Sequence, residues 1–205
     1  HAEDVKEWYC YQDGVPSHAY MRMRYRYPQN AFPYEELRHE NAARGTHEPE
    51  YELWDTGVFD RGYLDVDVEY AKHAPEDIVL RVTVTNRGPA AAPVHVLPHV
   101  WFRNTWTWDG SARPLVERAG PRRLLLKDQD GDTLPAECSL DEVWFTENET
   151  HPACFGTDAG EGYFKDAFHR RLIHGASDAV NPHERGTKAA FHGRFELEPG
   201  DSAVV

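Results

Sequence analysis

The sequence predicts an all-β, mainly antiparallel fold, a super-sandwich of two packed sheets with one short helix near residues 33–44. Three observations predict it. Apolar and charged residues alternate with period two in several short segments, turn residues separate those segments, and one stretch alone carries helix start and stop signals.

Val5 to Tyr11 reads as a strand. In Tyr20 to Tyr27, Met21, Met23, Tyr25 and Tyr27 share one face while Arg22, Arg24 and Arg26 share the other. Pro28 ends this strand. Pro33-Tyr34-Glu35-Glu36-Leu37 opens the helix, with proline early and acids in the first turn where the helix dipole favours them, and Gly45 stops it. Tyr63 to Tyr70 places Leu64, Val66 and Val68 inward and Asp65, Asp67 and Glu69 outward, and Ile78 to Thr85 likewise turns Ile78, Leu80, Val82 and Val84 inward. Asn86-Arg87-Gly88-Pro89 precedes a third strand, Val94 to Phe102, so the three are expected to form a meander. Arg122 to Lys127 and the segment after Asp132 flank a tight Asp-Gly hairpin turn. Further strands are expected at Asp141 to Thr146, His169 to His174 and Ala189 to Leu197.

The chain reads as a single β-sandwich domain of 205 residues, with 40% apolar content to furnish a core. It has no initiator Met, and only Ser202-Ala203-Val204-Val205 follows the turn at Glu198-Pro199-Gly200-Asp201; a fragment truncated at both ends of a larger protein is expected. Net charge of −13 argues against nucleic-acid partners, which need clustered basic charge. No apolar run reaches the ~20 residues of a membrane span and no signal-peptide pattern appears, so no membrane partner is expected. Cys10, Cys138 and Cys154, odd in number and widely spaced, suit reduced thiols and a cytoplasmic setting.

Val100-Trp101-Phe102-Arg103-Asn104-Thr105-Trp106-Thr107-Trp108 gathers three indoles with amide and guanidinium donors. Sugars are bound by aromatic faces against C–H surfaces with polar groups on the hydroxyls, so Trp106, Trp108, Arg103 and Asn104 are candidate substrate-binding residues; the alternative is rings packed between sheets or against a neighbouring domain. Glu147 and Asn148, in Thr146-Glu147-Asn148-Glu149-Thr150 after a strand, are added as candidates. Glu147 and Glu149 have the residue types of a glycosidase acid pair, but sugar hydroxyl contact or a solvated loop is the favoured reading. The twelve His residues show no His-Glu-x-x-His spacing, and Asp128, Asp130 and Asp132 fit a hairpin better than a calcium loop. No metal, no cofactor and no catalytic residue is assigned.

His1 to Glu7, Ser17 to Met21, Tyr27-Pro28-Gln29, Glu50 to Gly57, Trp101 to Trp106, Phe145 to Glu149 and Gly186 to Ala190 together resemble the N-terminal region of bacterial glucosidase-like proteins of glycoside hydrolase family 63, of the mannosylglycerate hydrolase-like kind. The resemblance spans nearly the whole chain in many short matches. It implies a β super-sandwich preceding an (α/α)6 barrel that holds the acid and base carboxylates for inverting hydrolysis of α-glycosidic bonds, hence a non-catalytic accessory domain whose partner is the catalytic domain of the same parent chain. A free-standing carbohydrate-binding module and a mutarotase-like enzyme are the alternatives. An excised domain of this kind is also expected to form a homodimer through the face it normally buries.

Overall fold

A computed structural model describes residues 7–157 and 162–205. In chain order come strands β1 (Trp8–Gly14) and β2 (Tyr20–Pro28), helix α1 (Tyr34–Ala43), strands β3 (Tyr63–Ala74), β4 (Asp77–Asn86), β5 (Ala92–Val96) and β6 (His99–Trp101), and the one-turn helix α2 (Trp106–Asp109). There follow β7 (Leu115–Gly120), β8 (Arg123–Lys127), β9 (Thr133–Glu137), β10 (Glu142–Thr146), helix α3 (Ala167–His174), β11 (Arg185–Gly186), β12 (Lys188–Leu197) and β13 (Ser202–Val204). The fold is all-β and mainly antiparallel, as the alternation predicts, and its strands form three sheets. Two compact units are present, His1–Val94 with Phe195–Val205, and His95–Arg194.

The first unit holds the sheet ordered β1-β2-β3-β4-β13. Its register sets Arg22, Arg24 and Arg26 of β2 opposite Glu69, Asp67 and Asp65 of β3. This corrects the expected facing of β3. Leu64 is buried as predicted, but Asp65 and Asp67 on the other face are only 3% and 8% exposed, while Ile78 lies open to solvent. Alternation identifies two faces without saying which is covered, and here cross-strand guanidinium groups make carboxylate burial tolerable. Over one end of the charged face, Leu37 of α1 packs with Leu53, Val58 and Phe59 against Trp8 and Tyr63. The Arg26 guanidinium lies 4.5 Å and 4.1 Å from the Trp8 and Tyr63 ring centres. On the opposite face Tyr9, Tyr11, Met21, Tyr27, Tyr70 and Ile78 are exposed.

The expected meander is also corrected. The other neighbour of β4 is β13, through Ser202↔Thr85 and Val204↔Thr83, and the predicted third strand joins a different sheet. That strand is in fact two, because Leu97-Pro98 interrupts it between β5 and β6, and proline has no N–H for a ladder.

In the second unit, one sheet is ordered β10-β12-β5 with β6 also on β12, and the other β11-β7-β8-β9. Val143 and Phe145 of β10 and Ala189 and Phe191 of β12 meet Val116 of β7 and Leu124 of β8 in one buried cluster, which makes a two-layer sandwich. The β8–β9 turn is the predicted Asp-Gly hairpin: Gly131 has φ 92°, and Asp128 Oδ1 accepts the N–H groups of Asp130 and Asp132.

The segment around His169 to His174, predicted as a strand, is helix α3. Phe168 and Leu172, four apart, set one face against Trp144 and Ala190, and the helix stops at Gly175. His99 on β6 stands edge-on to Phe168, 5.3 Å between ring centres. Burial, then the Lys188 ammonium, pushes His99 down to about 4. The folded protein therefore holds His99 neutral where the unfolded chain binds a proton, so stability falls as pH drops from about 6.5 toward about 4. His99→Gln is expected to remove on the order of 1 kcal/mol of that dependence, discounted for solvent screening, in urea unfolding followed across this range.

Candidate functional site

Beyond β6 the chain leaves the sheet at Phe102, whose N–H donates to Thr187 O at 3.1 Å, and turns into α2. Two residues apart on this one-turn helix, the indoles take opposite fates. Trp106 is 7% exposed, and its Nε1–H donates to Glu149 Oε1 at 2.8 Å. Trp108 is 75% exposed, with the Arg103 guanidinium 5.9 Å from its ring centre. The Thr107 hydroxyl donates to Asn104 Oδ1 at 3.0 Å and so steadies the amide beside the exposed ring.

From the other side comes the segment after β10. Glu147 N–H donates to Tyr163 O, and Lys165 N–H to Glu149 O, so the two stretches run together. Glu147 Oε2 accepts both the N–H and the hydroxyl of Thr187, at 3.1 Å and 2.8 Å. Thr187 Oγ1 in turn accepts Asn148 N–H at 2.8 Å, and Asn148 Nδ2 donates to Phe102 O at 2.9 Å. Thr187 is buried where the chain passes from β11 to β12, and it ties the Trp108 segment to the Asn148 segment.

Between these segments lies an open cleft of about 530 Å³, within the size range of small-ligand sites. Arg103, Asn104, Trp108 and Asn148 line it, four of the six residues singled out from sequence. Trp106 and Glu147 do not. The helical turn carries Trp106, a candidate for sugar contact, inward, and Glu147 is consumed by Thr187. The cleft instead takes Glu149, with Thr150, Phe164 and Lys165. Glu149 also forms an ion pair with Arg113. Glu147 and Glu149 are thus held by separate partners, and of the two Glu149 alone lines the cleft. No sequence signal marks Glu149 over Glu147, because Trp106 and Arg113, which orient it, are 43 and 36 positions away.

Lys188 lies below its usual amine range through burial and then the neighbouring Lys165 charge. No histidine among the described residues lines the cleft, though His151 packs on Phe164, 4.6 Å between ring centres. Among the described residues no group of three or more His, Cys, Asp or Glu is placed to hold a metal ion, and no helix is long and apolar enough to cross a membrane. Cys10, Cys138 and Cys154 are free thiols. The arrangement offers an exposed aromatic face ringed by amide, guanidinium, ammonium and carboxylate groups, a set suited to hydroxyl-rich ligands.

No family model matches the chain, and no solved structure matches it. The chain is similar to the uncharacterized protein YMR196W of Saccharomyces cerevisiae, 33% identical over 246 aligned residues that take in all of this chain and 23% of the yeast protein.

Proposed function

We propose that this chain is a non-catalytic accessory domain of an α-glycosidase of the family 63-like kind, and that its cleft contacts carbohydrate. The observation that carries the reading is the convergence of Trp108, Arg103, Asn104 and Asn148 on one open cleft in the second unit. An exposed indole beside several hydrogen-bonding groups matches the C–H and hydroxyl surfaces of a sugar. The accessory role is supported by the exposed row of tyrosine, methionine and isoleucine on the first unit's sheet, an apolar face of the kind that marks a contact surface. The proposed partner is an (α/α)6 catalytic domain of the same parent chain, and the free thiols favour a cytoplasmic setting. In the yeast protein the matched region is 23% of the length, which leaves room for such a domain there.

A self-sufficient carbohydrate-binding module uses the same cleft and differs in needing no partner. A mutarotase-like enzyme needs a histidine and an acid converging in the cleft, and among the described cleft-lining residues there is an acid, Glu149, and no histidine. The test is titration of the protein with α-linked gluco- and manno-oligosaccharides by calorimetry. Saturable binding that Trp108→Ala weakens about tenfold or more, with no hydrolysis, is expected. Turnover by the purified chain, or binding indifferent to Trp108, overturns the reading. A monodisperse monomer by light scattering would remove the homodimer as the occupant of the exposed face.

A further inference from the structure

Away from the cleft, three strands of the second unit's sheet each bring one titratable side chain into contact with the next: Glu142 on β10, His192 on β12 and His95 on β5. Glu142 and His192 are register partners, and Glu142 Oε2 lies 2.6 Å from His192 Nδ1. His192 Nε2 lies 2.8 Å from His95 Nδ1. The His95 and His192 rings are within 7° of parallel with centres 5.1 Å apart. The 2.8 Å bond plus the two ring radii accounts for nearly that whole separation, so the rings are joined edge to edge and not stacked face to face. The His192 side chain is 10% exposed, and its ring lies on the Trp144 indole, 4.3 Å between centres. The second oxygen, Glu142 Oε1, accepts Trp144 Nε1–H at 2.7 Å and stands 3.5 Å from Arg171 of α3.

Counting protons along the chain gives its behaviour. A carboxylate only accepts, so His192 Nδ1 carries the hydrogen of the first bond. A neutral His192 then has a bare Nε2, so His95 must donate from Nδ1 and keep its lone pair on Nε2. One added proton binds at His95 Nε2, and the proton between the rings crosses to His192 Nε2. The positive charge then rests on His192 beside Glu142, and both contacts survive without movement of a heavy atom. A second proton would leave N–H groups on both facing nitrogens and two like charges across one contact, which must open.

We propose that Glu142, His192 and His95 form a one-proton relay, which takes a proton from solvent at His95 Nε2, stores the charge on His192 against Glu142, and parts when a second arrives. The charged and titratable groups around it are Glu142 from β10, Arg194 farther along β12 and Arg171 from α3, with Lys188 of β12 and His99 of β6 toward the other end of the same sheet face. Their balance agrees with the proton count. Burial, then His192 and Arg194, holds His95 below the ordinary imidazole range, against a smaller opposing pull from Glu142. For Glu142, burial works upward, but the hydrogen bonds from His192 and Trp144 and the His192 and Arg171 charges together leave the carboxyl low.

The test is nitrogen-15 NMR of the imidazoles in the full chain from about pH 8 to about pH 4, with Trp144 emission read as the difference from Trp144→Phe. The expected result is two linked steps. In the first, both rings change together and Trp144 is quenched as a cation forms over its face; in the second, at least about one pH unit lower, the contact between the rings is lost. Glu142→Gln is expected to weaken uptake of the first proton about tenfold or more. His95→Gln, which spares the carboxylate contact, is expected to abolish the second step. Two independent single-step titrations, a Glu142→Gln profile that matches wild type, or a second step that survives His95→Gln would each overturn the relay.

Discussion

Arg24→Ala is expected to destabilise the first unit by about 3–5 kcal/mol, the cost of stripping one partner from a buried ion pair. Arg24 grips Asp67 with two hydrogen bonds, Nε to Oδ1 at 2.9 Å and Nη2 to Oδ2 at 2.8 Å, and stands 3.7 Å from Asp65. Asp67 is 8% exposed. Without Arg24, its remaining guanidinium neighbour is Arg22 at 3.5 Å, so most of the carboxylate's compensation is lost while its burial remains. Hydrogen bonding to Arg24, set against burial, holds the Asp67 carboxyl below its ordinary range. The stabilisation is therefore complete above that ordinary range and is lost as pH falls through the lowered value, so Arg24→Ala should also flatten the acid limb of the stability profile. Urea unfolding at neutral and acid pH measures both effects, and a neutral-pH loss below about 1 kcal/mol would show that the ladder is a surface feature. Arg24→Lys is expected to recover only part of the loss, because an ammonium cannot reproduce the two-pronged contact.

Gly186→Ala is expected to be nearly as damaging, by about 3 kcal/mol or more, and to disturb the cleft as well. A Cβ at this position would fall on the Thr146 carbonyl oxygen and within 2.8 Å of its carbon, both backbone atoms of β10 that no rotamer change can move. The next residue is Thr187, whose hydroxyl and N–H reach Glu147 and whose Oγ1 receives Asn148 N–H. Pushing β11 away from β10 breaks that set, so thermal stability and oligosaccharide affinity should fall together. Thr187→Val provides the comparison, since it keeps the backbone approach and removes the hydroxyl, at about 1–3 kcal/mol. If Gly186→Ala lost stability and kept full affinity, the Thr187 network would not be what orders the cleft.

Much of this was legible in the residues alone. Alternation of Met21, Met23, Tyr25 and Tyr27 with Arg22, Arg24 and Arg26 defines β2 and its two faces whatever the rest of the chain does, since strand period is a property of the backbone. Pro33, Glu35 and Glu36 likewise mark the start of α1, and Asp128 to Asp132 its hairpin, because these signals act within a few residues. Of the indoles, amide and guanidinium clustered at positions 101 to 108, Trp108, Asn104 and Arg103 line the cleft and Trp101 and Trp106 do not.

What local signals do not carry is which face is covered and which acid meets which base. Asp65 and Asp67 are buried because β3 lies in register with the arginines of β2, and an amphipathic strand is equally consistent with burial of either side. His169 to His174 carries no period-two alternation, and Phe168 and Leu172, four apart, fit against Trp144 as one helical face. Trp106 turns inward because the Glu149 carboxylate, itself held by Arg113 and distant in sequence, stands where the indole N–H can reach it, whereas Trp108 stays exposed. The row from Glu142 through His192 to His95 joins three strands that only sheet order makes neighbours. Short-range stereochemistry is written into each segment, whereas charge pairing and burial arise from the summed packing of segments far apart in the chain.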